Sequence, residues 1–224
     1  MTISIQSIDR RDFDQARRFA IHGMNLDWYA TNKLELYLYS KYFWYLELTK
    51  ATRVLGAYNG SKLLGVLMVD MKGRPKAYRS WFGSLFIRIA EFFIQAFYGR
   101  AAAPYEAANT ELLDKLVART KPDGELNFFA VDPDCKGQGV GTLLLQELER
   151  REPGKFIYLF TDSGSTYQFY EHRGFVTVAC KEITLVIKGQ RRPLSCFLFG
   201  KFLRPLYLRN DVKNVSSDMC DGNA

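Results

Sequence analysis

Glu125-Leu-Asn-Phe-Phe-Ala-Val-Asp-Pro-Asp-Cys-Lys-Gly-Gln-Gly-Val-Gly-Thr142 is the stretch on which the fold turns. Leu126 to Val131 is an apolar and aromatic run of the length of one buried strand. Asp132-Pro133-Asp134 ends it, because proline has no amide to donate and aspartate favours turns. Gly137, Gly139 and Gly141 follow at alternate positions and lead into Thr142 to Arg150, an amphipathic helical pattern. The order is strand, glycine loop, helix N-terminus.

Such an arrangement suits an anion. The first helical turn leaves amide donors without intrahelical acceptors, and the helix dipole places partial positive charge there. Glycines admit a ligand close to the main chain and accept φ > 0. Together they form a nest for a phosphate or diphosphate, aided by Lys136 and by the absence of acids between Cys135 and Gln146. A glycine-rich turn that merely joins strand to helix is the plainer alternative. A P-loop requires its lysine after the glycines, whereas Lys136 precedes them. A dinucleotide fingerprint fails too: counted from Gly137 its third glycine is Thr142, and from Gly139 it is Leu144.

Lys136-Gly-Gln-Gly139-Val-Gly141 does match the pattern R/Q-x-x-G-x-G/A, with lysine at its head. Downstream, the strand-like Lys155 to Thr161 precedes Tyr167-Gln-Phe-Tyr170-Glu-His-Arg-Gly174-Phe175, a helix ending in Y-E-x-x-G-F with glycine at its C-cap. The two signatures, in this order with a strand between them, resemble the GNAT superfamily of acetyl-CoA-dependent N-acetyltransferases. The resemblance spans 53–202 and extends to 1–52 by topology. It implies an α/β (α+β) fold with a mixed, mostly antiparallel central sheet and helices on both faces. Residues 1–209 are expected to form one such domain, with a mobile tail over 210–224.

The remaining chain fits that expectation. Ile3–Ile8 alternates as a first strand. Asp9 or Asp12 can cap a helix reaching His22, and Asn32 to Lys50 is a second helix crowded with aromatics. Asn59-Gly60 between apolar runs predicts a type I′ hairpin. Residues 71–120 form a helical insertion between the third and fourth strands, with Trp81 to Tyr98 nearly all apolar. A break is expected at Ala101–Pro104 and a further helix over Tyr105–Thr120. Arg88, Glu91 and Gln95 would form a polar stripe. Six basic residues against one acid over 72–100 leave three readings open: a packed or lid helix, a homodimer contact, or contact with a membrane surface. Phe175–Lys188 and Leu194–Leu203 read as a closing hairpin, with Gly189 to Pro193 as its turn.

Composition narrows the classes further. Hydrophobic residues make up 47% of the 224, as in globular chains. The cysteines, at 135, 180, 196 and 220, show no C-x-x-C spacing, and no secretory segment is read at the N-terminus. A reduced, cytoplasmic setting without disulfides is expected. His22 and His172 are the only histidines, so a multi-histidine metal centre is excluded. The net charge of +7 comes without a nucleic-acid motif and suits a polyanionic co-substrate.

The resemblance implies acetyl-CoA as co-substrate and a primary amine, on a small molecule or a peptide, as acceptor. Pantetheine would lie along Phe129, Ala130 and Val131. The diphosphate would sit on Lys136, Gly137, Gln138, Gly139, Val140, Gly141 and Thr142. Tyr170 falls on the family's general-acid tyrosine. Glu125 stands where some members carry a base acting through water; a merely solvated carboxylate is the alternative. Ser163 replaces an asparagine that contacts the co-substrate in many relatives, and Asp162, Ser163 and Ser165 are expected to supply polar contacts there. The connection after the first helix, with Asp27, Trp28 and Tyr29, would touch acceptor. The competing reading is a non-catalytic acyl-CoA-binding or scaffold domain of the same fold.

Overall fold

The structure, a computed structural model, describes residues 2–78 and 81–204; the expected tail over 210–224 lies outside the described residues. Seven strands form one sheet: β1 (Ile3–Ser7), β2 (Arg53–Asn59), β3 (Lys62–Met71), β4 (Gly124–Val131), β5 (Phe156–Asp162), β6 (Val176–Ile187) and β7 (Gln190–Phe202). Their spatial order is β1-β2-β3-β4-β5-β7-β6. Every neighbouring pair is antiparallel except β4 with β5.

Central β3 is buried almost end to end because helices cover both faces of the sheet, which removes the polar alternation of a half-exposed strand. On one face lies α4 (Val140–Arg151), whose Leu144, Leu145 and Leu148 pack on Leu67, Ile157 and Phe199. On the other lie α1 (Phe13–Gly23) and α2 (Lys33–Lys50), which cover β2–β4 with Phe19, Trp44 and Leu48 against Met68 and Phe128. There too, the last turns of α3 (Trp81–Val117) cover β5–β7 with Ala108, Leu112 and Leu116. Asn32 caps α2 by accepting from the Glu35 amide at 2.9 Å, and the Glu35 carboxylate reaches back to Thr31.

Three details depart from the sequence reading. The insertion is one helix through Pro104, without a break. Pro104 is exposed, and the Ala101–Ala103 run before it has the highest helix propensity, which offsets the lost amide bond. Of the polar stripe, Arg88 is exposed, while the side chains of Glu91 and Gln95 lie outside the described residues. The hairpin after β2 turns on Gly60 and Ser61, since Asn59 pairs with Lys62, and only Gly60 has positive φ (59°). That is the type II′ pattern, which needs φ > 0 at its first central residue alone. The closing hairpin turns on Lys188 and Gly189, with φ of 51° and 76°, so Gln190 to Pro193 belong to β7. Pro193 is tolerated there because β5 ends at Asp162 opposite Cys196, leaving that edge of β7 unpaired.

Candidate active site

The site opens where the sheet comes apart. β4 and β5 pair only at Gly124–Ile157 and Glu125–Tyr158, then diverge, so the β5-facing edge of β4 beyond Glu125 has no strand partner among the described residues. A cleft of about 1680 Å³ runs through this gap, from the glycine loop on the α4 face to α2 and α3 on the other.

A bulge sets which side chains face the gap. Met68 pairs with Phe128 and Asp70 with Glu125, so Val69 alone stands opposite both Leu126 and Asn127. The extra residue resets the alternation of β4. Leu126 goes to the α4 face, whereas Asn127 and Phe128, though adjacent, both face α2. Without the bulge Glu125 would point towards α4. With it, Glu125 reaches the α2 side of the cleft and accepts from the Tyr158 hydroxyl at 3.1 Å.

The glycine loop is open to a ligand. Gly137 and Gly139 have φ of 81° and 78°, and a Cβ on either would meet nothing within 4 Å. Gly141 serves a different purpose: a Cβ there would sit 3.0 Å from the Phe169 ring and 3.2 Å from that of Phe129, so its bareness lets α4 lie against the Tyr170 segment. Among the described residues, the amides of Gly137, Gly139, Val140, Gly141 and Thr142 have no protein acceptor. Those of Lys136 and Gln138 are bound to the carbonyls of Pro133 and Cys135, each at 3.2 Å. The expected set of amides is thereby reduced. Gln138 is also turned back by its side chain, which donates to the Asp134 carbonyl at 3.2 Å, and it does not line the cleft.

Arg173 joins the loop. Its Nε donates to Thr142 Oγ1 at 2.9 Å and its guanidinium lies 5.3 Å from the Phe169 ring centroid. Lys201 holds the Arg173 carbonyl and pairs with Glu149 at 2.6 Å, which fixes this corner to α4. The sequence reading missed Arg173, whose only local sign was its place in the variable part of Y-E-x-x-G-F.

Tyr170 lies in α5 (Gln168–Glu171), with its ring among Phe129, Phe169, Phe175 and Phe199 at centroid distances of 5.5–6.3 Å. It lines the cleft, and its hydroxyl has no hydrogen-bond partner among the described residues. Desolvation by the surrounding rings raises its pKa above the ordinary phenol value.

Carboxylates gather on the far side of the gap. Burial first, then the nearby Glu47, raises the pKa of Glu125. Burial likewise raises that of Asp162, although Asp162 accepts from Gly164 N at 2.8 Å and Tyr105 Oη at 3.2 Å. Buried Glu47 pairs with Lys50 at 3.1 Å and accepts from Asn127 Nδ2 at 2.7 Å. Glu125 therefore holds its proton more tightly folded than unfolded. Its contribution to stability falls as pH rises from the unfolded carboxyl pKa, about 4.3, through the raised folded one. Glu125→Gln, which can still accept from Tyr158, is expected to raise Tm at pH 7 by a few degrees and to lose that advantage near pH 4, as read by thermal melts at the two pH values. An equal gap at both would contradict it.

The other expected contacts divide. Phe129, Ala130 and Val131 line the cleft, as do Lys136 and Trp28. Ser163 does not: its hydroxyl accepts from the Ser195 amide at 3.1 Å, and Ser165 and Thr166 line the wall instead. Trp28 lies against Gly164, where a Cβ would come within 2.9 Å of its ring, and Arg192 stacks on it at 4.9 Å. Asp27 is turned to a neighbouring hollow of about 350 Å³, and the side chain of Tyr29 lies outside the described residues. No described helix is long and apolar enough to cross a membrane.

Comparison with known proteins agrees with this geometry. Residues 106–177 match the family model of an acetyltransferase (GNAT) domain. Among solved structures, one described as a putative phosphinothricin N-acetyltransferase aligns with a TM-score of 0.53 at 15% identity, covering 91% of this chain and 100% of that one. One described as histone acetyltransferase HPA2 and related acetyltransferase, from Corynebacterium glutamicum, aligns at 0.51 with 17% identity, covering 88% and 96%. Arabidopsis thaliana NAA60, in complex with a bisubstrate analogue, aligns at 0.50 with 14% identity, covering 90% and 98%. At such identities the likeness is one of fold, and no curated protein matches the chain. The family match runs from the end of α3 through the glycine loop to Tyr170 and beyond, so this part of the chain is similar to an acetyltransferase (GNAT) domain, and the solved structures share the fold of the sheet.

Proposed function

We propose that the protein moves an acetyl group from acetyl-CoA to a primary amine, and the observation that carries this is the polarity of the cleft. One end offers five amides unpaired among the described residues, with Lys136 and Arg173, a match for a diphosphate; further along stand Glu125 and Asp162, each a match for an ammonium. Tyr170 presents a phenol without a hydrogen-bond partner among the described residues on the wall of the same cleft. The bare edge of β4 at Phe129–Val131 suits the amides of a pantetheine arm.

Glu125, through water or directly, takes the proton that an ammonium of pKa about 10.4 must lose before the amine attacks the thioester carbonyl. The C–N bond forms, a main-chain amide near Val131 supports the oxyanion, and the C–S bond breaks. Tyr170 then gives its proton to the sulfur; the acetylated nitrogen, cationic after the attack, loses its surplus proton to water, and Tyr170 is reprotonated from solvent. In water a phenol of pKa about 10 is a weak donor to a thiolate of pKa about 8.5, but desolvation raises the basicity of a thiolate formed in this pocket as well. An unsatisfied phenol at this place favours turnover over a binding-only scaffold.

The test is thiol release from acetyl-CoA across a panel of amines, together with calorimetry of CoA binding. Amine-dependent release is expected, and a protein that binds no CoA would sink the reading. Arg173→Ala is expected to raise the CoA Kd about tenfold, with the gap from wild type narrowing as salt rises from about 0.05 to about 0.5 M. A salt-independent gap would mean that Arg173 only packs.

A further inference from the structure

Resting on the acetyl-transfer reading, we propose that the acceptor is a monoamine with an apolar body, aromatic or branched aliphatic, rather than a polyamine or a peptide. Leu34, Leu38, Tyr42 and Leu46 recur every fourth residue on α2 and all line the cleft. Leu34 is 68% exposed and Leu38 is 47% exposed, so an apolar helical stripe is turned to an opening that no described residue fills. Phe86 and Ala90 on α3 line the same opening, and so does Ile187 beside the turn between β6 and β7. An extended polar acceptor would bring hydrogen-bonding groups against Leu34, Leu38 and Leu46, which displace water and offer no partner.

The same opening carries the negative charge. Glu125 and Asp162 both line it, each bonded by one tyrosine hydroxyl, Tyr158 at 3.1 Å and Tyr105 at 3.2 Å. Tyr105 comes from α3, so the insertion between β3 and β4 supplies both part of the apolar wall and a partner of one of these carboxylates. A single ammonium beside Glu125 with a hydrocarbon body against α2 matches both features. Glu35, Glu47 and Glu106 line the cleft as well, the first two already engaged by Thr31 and by Lys50 and Asn127, and a second ammonium laid against the stripe itself meets Leu34, Leu38 and Leu46.

The experiment compares 2-phenylethylamine, ethylamine and 1,4-diaminobutane as acceptors of acetyl-CoA, reading kcat/KM from thiol release, with acetyl-CoA binding measured by calorimetry on the same samples. The expected result is a preference for 2-phenylethylamine over 1,4-diaminobutane on the order of 100-fold, the worth of burying a phenyl group. Leu38→Glu is expected to cut that ratio roughly tenfold through a higher KM for 2-phenylethylamine. If 1,4-diaminobutane is used as well as 2-phenylethylamine, acetyl transfer stands and the apolar acceptor is overturned. A preference for hexanoyl-CoA over acetyl-CoA would overturn it also, because the stripe would then serve the donor. If acetyl-CoA binds and no amine releases thiol, acetyl transfer itself falls and takes this inference with it.

Discussion

Replacing Tyr170 by phenylalanine is expected to lower kcat by about 10²- to 10³-fold while the CoA Kd stays within twofold of wild type. A positioned general acid contributes a factor of this size, and the substitution removes nothing else. The Tyr170 ring is held by Phe129, Phe169, Phe175 and Phe199, which a phenylalanine ring would meet equally well. The hydroxyl bonds no described residue, so its loss leaves no buried partner unsatisfied. Tm should therefore hardly move, which separates a chemical role from a structural one. Steady-state thiol release with saturating acetyl-CoA reads the effect. A kcat within twofold of wild type would remove Tyr170 from the mechanism and leave the leaving sulfur to be protonated by solvent.

Gly139→Asp is expected to raise the CoA Kd by at least about 30-fold. A carboxylate there would stand beside the proposed diphosphate seat, and like charges a few ångströms apart in partly screened surroundings cost about 2 kcal/mol. Space does not confound the result, since a Cβ at this glycine meets nothing within 4 Å. Backbone strain does, because φ is 78°. Gly139→Ala carries the larger share of that strain and no charge, as aspartate tolerates the left-handed region better than alanine. Calorimetric Kd values for the two variants divide the causes. Equal weakening by Ala and Asp would mean that the loop binds no anion.

The parts legible in the sequence were those whose physics is local. Alternating glycines between an apolar strand and an amphipathic helix fix the φ > 0 positions and the exposed amides within one short stretch. Asn32 and the β-branched runs announce their elements in the same way. Arg173 was missed as a site residue, and Asp162 was expected at the co-substrate rather than with Glu125 on the acceptor side, because each depends on chain far away. The role of Asp162 follows from β5 parting from β4 after two pairings and from Tyr105 arriving on α3. Arg173 matters because Gly141 lets its segment pack against α4, beside Thr142. The direction of Glu125 follows from the bulge at Leu126–Asn127, and no apolar pattern within β4 marks where such an extra residue falls. Pro104 misled for the opposite reason, a strong local breaker overridden by the alanines before it and the packing of Ala108, Leu112 and Leu116 after it.

The parting of β4 from β5 also bears on how the protein endures. Two strand edges that elsewhere would zip together are left to water, so the empty sheet is incomplete along its own midline. On the proposed reading, a pantetheine arm laid along β4 acts as a missing piece of sheet supplied from solution. A molecule that binds only the folded chain stabilises it by about 2.7 kcal/mol at a hundredfold excess over its Kd. Hydrogen exchange at Phe129–Val131 should then slow with CoA concentration, and resistance to heat and proteolysis should rise and fall with the supply of the metabolite.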